Sequence, residues 1–229
     1  MTPDRRGEGE RVSLPWAVEA HRGSAAEFHA RTVAPPPDRS VWWLAVDRPA
    51  LVLGSTQRPE VADHAALAAS GVELVRRRSG GGAVLLTPGD VVWADVVVPA
   101  GDPLWDDDVG RATHWLGEVW VRALSGCGLT GAEVHRGPML RAPWSSLVCF
   151  AGVGPGEVLV NGRKVVGISQ RRTKDWARFQ CAAYRHWDPG ALTALLAPPR
   201  PAAEDLVGLV QPLAIPEAEL RSAFLAALP

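Results

Sequence analysis

The sequence predicts an α+β fold, a mixed and largely antiparallel sheet with flanking helices, and three observations carry that expectation. Short apolar runs bounded by Gly, Pro and Asp recur along the chain; two of them are joined by Asn161 and Gly162; and helical segments with a glycine just past their ends lie between. With 229 residues, 47% of them hydrophobic, the chain can bury a sizeable core. No Ser/Gly-rich or charged linker divides it. The expectation is one domain over 1–229, with a core of about 16–187, a helical tail over 188–229 and no C-terminal accessory domain.

Taken in order, Trp16 to Arg31 carries Ala, Glu and His at mixed helical spacing and ends before Pro35, Pro36 and Pro37, which predicts a helix. Val41 to Val46 and Leu51 to Leu53 read as two adjacent strands. Glu60 to Ser70 is Ala-rich between Pro59 and Gly71, the asymmetry of a helix, and Val72 to Arg77 follows as a strand. Ala83 to Thr87 and Val91 to Val98 flank Pro88, Gly89 and Asp90, which predicts an antiparallel hairpin. Asp106, Asp107 and Asp108 precede a periodic helical segment reaching Ser125, where acids complement the positive end of the helix dipole.

Beyond it, Ser145 to Phe150 reads as a strand. Glu157 to Val160 and Arg163 to Gln170 form a hairpin about Asn161 and Gly162, with Lys164, Val166 and Ile168 on one face. Phe179 to Tyr184 is a further strand, and Gly190 to Leu196 and Glu217 to Leu228 are short helices. The tryptophans, including Trp42, Trp43, Trp93, Trp115 and Trp120, fall within these elements and are expected in the core.

Composition excludes several function classes. A net charge of -1 lacks the broad field of a general nucleic-acid binder. Three cysteines, Cys127, Cys149 and Cys181, have no CxxC spacing, and the six histidines show no HExxH, so neither a disulfide framework nor a metal site is expected. Met1 to Pro15 lacks an apolar run and nothing approaches a membrane span, so a cytoplasmic protein without membrane partner is expected.

Two segments could carry chemistry. Arg76, Arg77, Arg78 and Ser79 precede Gly80, Gly81 and Gly82, a loop without side chains whose backbone N–H groups can approach an anion or an extended ligand. It matches neither the P-loop nor the dinucleotide pattern, so a simple bend between strands remains the alternative. The second segment, Asn161 to Arg178, holds six basic residues against one acid, and it contains both lysines of the chain, Lys164 and Lys174. Lys164, directly after the tight turn, is the better placed; a solvated edge-strand lysine is the plain alternative.

Together, RRRSGGGAV with its TPGD turn and NGRKVVGISQRRTKD resemble the catalytic domain of the lipoate-protein ligase family, which is related to biotin-protein ligases and octanoyltransferases. The likeness covers about Leu51 to Tyr184, and Pro49 to Gln57 is similar to the family's early strand and loop. It implies an acyl-adenylate wrapped by Arg77, Ser79, Gly80, Gly81, Gly82, Ala83, Val84 and Leu85, with Gly167 also in the binding site and Lys164 catalytic. The leading expectation is therefore a ligase using ATP and Mg2+ to attach lipoate or octanoate to a lysine of a lipoyl carrier domain. Such a domain would belong to a 2-oxoacid dehydrogenase or a glycine-cleavage H protein, with a separate accessory subunit as a further partner.

The chain departs from that pattern in two places. Phe179, Gln180, Cys181 and Ala182 stand where ligases of the family usually carry a histidine, and Cys149, Phe150 and Glu157 resemble the transferase branch, although Gly156 replaces its usual aromatic. The alternative is thus an ATP-independent octanoyl or lipoyl transferase acting through a Cys149 thioester. A non-catalytic acyl or biotin binder is the third.

Overall fold

The computed structural model describes residues 15–229, so most of the charged N-terminal segment considered above, Met1 to Leu14, lies outside the described residues. The fold is α+β, as expected. A seven-stranded sheet runs in the order β1(Ala17–Gly23), β2(Ser40–Val46), β6(Val91–Pro99), β10(Trp176–Tyr184), β9(Arg163–Arg172), β8(Val158–Val160), β7(Ala132–Val134). A three-stranded sheet pairs β4(Glu73–Arg76), β3(Ala50–Leu53) and β5(Val84–Leu86). Among the strand pairs of the described residues, β1–β2 and β3–β4 are parallel and the others antiparallel. Helices α3(His114–Gly126) and α5(Glu217–Ala226) pack on one side of the large sheet, α2(His64–Ser70) and α4(Pro189–Ala194) on the outer side of the small one.

Apolar side chains fill three spaces. Val41, Trp43, Val96, Phe179 and the fully buried Trp120 and Phe224 form the core under α3 and α5. Trp42, Trp93, Val52, Val84 and Phe150 lie between the two sheets. Leu51, Leu53, Leu85, Leu67 and Leu196 form the third space, under α2 and α4. Each side chain so buried contributes roughly 1.5–3 kcal/mol relative to exposure. The segment after Tyr184 is held into the fold through Leu206, Leu213 and Leu220, all buried, and by the Leu213 N–H donating to the Tyr184 carbonyl at 2.8 Å. Among the described residues, no helix is long and apolar enough to cross a membrane.

Several local expectations need correction. The first element is a strand, β1, because Ala17 to Gly23 find a parallel partner in β2; only after it does the short helix α1(Ala25–Ala30) begin, where Ser24 and Glu27 form a reciprocal capping box. The segment Glu60 to Ser70 splits into a 3-10 turn at Pro59–Val61 and α2, since the Asp63 side chain caps the N–H groups of Ala65 and Ala66. Helix α3 starts at His114 behind a 3-10 turn, and Asp108 caps that turn through the N–H groups of Gly110 and Arg111.

Two expected pairings do not form, for one reason. Strands β2 and β3 lie in different sheets, and β5 and β6 do not form a hairpin: β5 pairs with β3, β6 with β2 and β10. All four are buried on both faces, so their apolar runs carry no alternation that would choose a partner. The hairpin about Asn161 and Gly162 holds, with both residues at positive φ, 50° and 75°. A bulge at Val165 nevertheless interrupts its face: Val165 and Val166 join the core under α3, while Lys164 turns the other way, toward Phe150.

Candidate functional site

A cavity with about 450 Å³ of empty space opens between the sheets. The small sheet contributes Val52, Val84 and Leu86; the large one contributes Trp93 and residues of β9 and β10, with Cys149 and Phe150 closing one side. Alternation along β5 explains the wall: Val84 and Leu86 face the cavity, whereas Leu85 points into the third core. Leu85, expected among the binding residues, therefore contributes only its carbonyl, which accepts from the Tyr184 hydroxyl at 2.9 Å.

The glycine loop folds against the segment that carries Cys149. The Ala83 N–H donates to the Leu147 carbonyl at 2.7 Å and the Cys149 N–H to the Ala83 carbonyl at 3.0 Å. A Cβ on Gly82 would lie 2.6 Å from the Val148 carbonyl carbon, and Gly81 adopts φ +101°. Glycine is needed at both for close approach and for backbone angle. This docking also replaces the expected strand at Ser145 to Phe150: only Val148 bridges to Ala83, and Cys149–Ala151 form a 3-10 turn that presents the thiol. Gly80 has open space around it.

Arg77 is the buried arginine of its triplet. Its guanidinium donates to the carbonyls of Gly80 and Gly82 at 2.9 and 2.8 Å and lies 3.8 Å from Cys149 Sγ. Cys149 is half-buried, while Cys181 is fully enclosed and its thiol pKa is pushed far up by burial. The structure thus brings Arg77, the glycine loop and Cys149 to one edge of the cavity.

Lys164, the other expected site residue, is 1% exposed and lies under the Cys149 turn. Its Nζ pairs with Glu157 Oε2 at 2.7 Å and donates to the Cys149 carbonyl oxygen at 3.0 Å. Glu157 also accepts from the N–H groups of Gly154 at 2.6 Å and Ile168 at 3.1 Å, so one carboxylate ties this lysine, the loop after Cys149 and β9 together. Gly167 leaves the space that Phe150 and Glu157 occupy. Gly156, in place of an aromatic, has no alternative: at φ +82° its Cβ would meet Thr113 at 2.4 Å.

Around Ser79, which the family resemblance marks for binding, the structure gathers three residues that sequence reading missed, Ser169, Gln180 and His29. Ser169 donates to Ser79 at 3.0 Å, Ser79 to Gln180 Oε1 at 2.8 Å, and Gln180 Nε2 meets His29 Nδ1 at 3.2 Å. His29 packs on Trp93 with ring centroids 4.7 Å apart, and burial, followed by the charges of Arg77 and Arg178, lowers its pKa to about 3. The helix expected over Trp16 to Arg31 already set His29 on a helix, but nothing local aimed it at a cavity or marked Gln180.

Residues 24–208 match the family described as the lipoyl protein ligase A/B catalytic domain. An octanoyltransferase LipM of Kyrpidia tusciae is 34% identical over 173 residues, which is 73% of this chain and 61% of that protein. An octanoyltransferase of Chloroflexus aggregans is 37% identical over 138 residues, 58% of each. The chain therefore spans about three fifths of the length of these curated relatives. Among solved structures, a bi-partite lipoate protein ligase from Thermoplasma acidophilum superposes with a TM-score of 0.72 at 16% identity, covering 94% of this chain and 82% of that one, a likeness of fold.

Proposed function

The chain belongs to the lipoyl protein ligase A/B catalytic-domain family, and on that premise we propose that it transfers an octanoyl or lipoyl group from a carrier thioester to a lysine of a lipoyl domain, through a thioester on Cys149. The observation that carries this reading is the position of Cys149: a half-buried thiol at the edge of an apolar cavity, with the Arg77 guanidinium 3.8 Å from its sulfur. The naming of the relatives as octanoyltransferases supports it over the ATP-dependent ligase that the motifs alone put first.

In the first step the Cys149 sulfur attacks the donor thioester carbonyl. A new C–S bond forms, the donor C–S bond breaks, and the donor leaves as a thiol with the proton that Cys149 gave up. In the second, an uncharged lysine amine of the acceptor attacks the acyl-Cys149. The amide C–N bond forms, the C–S bond breaks, and the amine proton returns to the sulfur. Arg77 supplies fixed positive charge beside the sulfur, which carries negative charge as it attacks in the first step and as it leaves in the second, and Lys164 holds the Cys149 turn in place through its backbone carbonyl. The alkyl chain would lie against Val52, Leu86 and Trp93.

The test is incubation with an octanoyl-carrier protein and an apo lipoyl domain, followed by intact-mass measurement. Acylation without ATP, with an octanoyl adduct on Cys149, is expected. Gain of mass only with free octanoate or lipoate, ATP and Mg2+ would restore the ligase reading, and no gain under either condition would leave an acyl binder.

A further inference from the structure

The cavity wall is apolar except for a polar collar: Ser169, Gln180 and His29, joined through Ser79, and Arg77, whose guanidinium lies 3.8 Å from Cys149 Sγ. The hydrogen bonds of this collar have a fixed direction. Asp95 receives the Trp93 indole N–H at 2.7 Å and the Arg178 Nε–H at 2.7 Å, so its partners are obligate donors and it only accepts. Gln180, which also bonds Asp95, must turn its NH2 toward that carboxyl, and this leaves Oε1 to accept from Ser79. The same NH2 then donates to His29 Nδ1. The proton of the neutral imidazole is therefore on Nε2.

That N–H has no hydrogen-bond partner among the described residues, and it belongs to a ring that lines the cavity. The imidazole stays neutral because it is buried and faces the charges of Arg77 and Arg178. A lone donor in an apolar pocket selects for an acceptor on the ligand. Through Gln180 the ring is hydrogen-bonded to Ser79, the residue before Gly80, so although it packs on Trp93 it belongs to the polar part of the wall beside the glycine loop, where the polar end of an acyl group and not its alkyl chain finds a partner.

We propose that His29 is a specificity-determining residue of this cavity, its Nε2–H donating a hydrogen bond to the carbonyl oxygen of the bound acyl group. The proposal rests on the acyl-transfer reading above. It predicts that the protein distinguishes an acyl thioester from an otherwise equal thioether through this one residue.

The experiment uses the full chain with Cys149→Ala, which prevents acylation, and two probes: S-octanoyl-N-acetylcysteamine and its S-octyl thioether, which lacks the carbonyl oxygen. Calorimetric titration should show the thioester bound about three- to tenfold more tightly, the range of one neutral hydrogen bond. Adding His29→Phe, which keeps an aromatic ring beside Trp93, should erase that preference and leave thioether affinity unchanged. His29→Gln, whose amide N–H can reach the same point, should restore most of it. An unchanged preference in His29→Phe, or a parallel loss for both probes there, would overturn the proposal. Equal binding of the two probes before any His29 change would overturn it and leave the acyl cavity standing. Binding of neither would overturn both.

Discussion

Lys164 and Glu157 form an ion pair, Nζ to Oε2 at 2.7 Å, with side chains 1% and 6% exposed. Breaking a buried pair by removing one partner leaves an uncompensated charge, so Glu157→Gln should cost about 3–5 kcal/mol in denaturant unfolding. Glu157→Gln at near wild-type stability would contradict this account of the pair.

Lys164→Arg keeps the charge but not the shape. The guanidinium must fit a space that Phe150, Glu157 and the Cys149 turn already fill, so overpacking should cost about 1–3 kcal/mol and acyl transfer should fall to a small fraction of wild type. Transfer at the wild-type rate by a folded Lys164→Arg protein would remove Lys164 from the chemistry.

Cys149 should be the first thiol to react. Cys181 is fully buried with its pKa pushed far up, and burial, with Glu219 adding to it, also raises that of Cys127. Iodoacetamide treatment of the folded protein followed by peptide mapping should find Cys149 labelled before either. Cys149→Ala should fold and transfer nothing; retained transfer would exclude the thioester route.

The glycine triplet should divide by position. Gly80→Ala meets no atom within 4 Å and should leave stability and transfer within error of wild type. Gly82→Ala drives a methyl group to 2.6 Å from Val148 and 2.7 Å from the Cys149 nitrogen, so it should displace the thiol and abolish transfer. Gly81→Val combines strain at φ +101° with a Cβ 2.8 Å from the Arg77 guanidinium, so it should also lose ligand binding. Equal tolerance at all three, measured by transfer assay and thermal unfolding, would mean that the loop does not pack as described.

His29 makes stability depend on pH. In the unfolded chain it takes up a proton below its ordinary 6.5, but in the fold only near 3, because burial and then Arg77 and Arg178 disfavour the charge. Between those values the unfolded state binds more protons, so stability falls as pH falls, by up to ~1.4 kcal/mol per pH unit from this group. His29→Gln should flatten the unfolding free energy across that window relative to wild type. Parallel curves for the two proteins would show that His29 is not held neutral.

The sequence by itself determined the α+β class and the Asn161–Gly162 hairpin, because both rest on local chemistry, and it pointed to the glycine loop and to Lys164 through absent side chains and a charge just after a tight turn; through the family resemblance it also singled out Arg77 and Cys149. It could not choose partners for strands buried on both faces, so β3 and β5 went to a second sheet unforeseen, and the cavity between the sheets with them. Nor could it turn Lys164 away from Val166, since a bulge depends on the register of a neighbouring strand. The collar was least legible. Ser169, Gln180 and His29 are ordinary polar residues from two strands and a helix, and only long-range packing joins them to Ser79, which the glycine-loop motif marks, in one chain of hydrogen bonds.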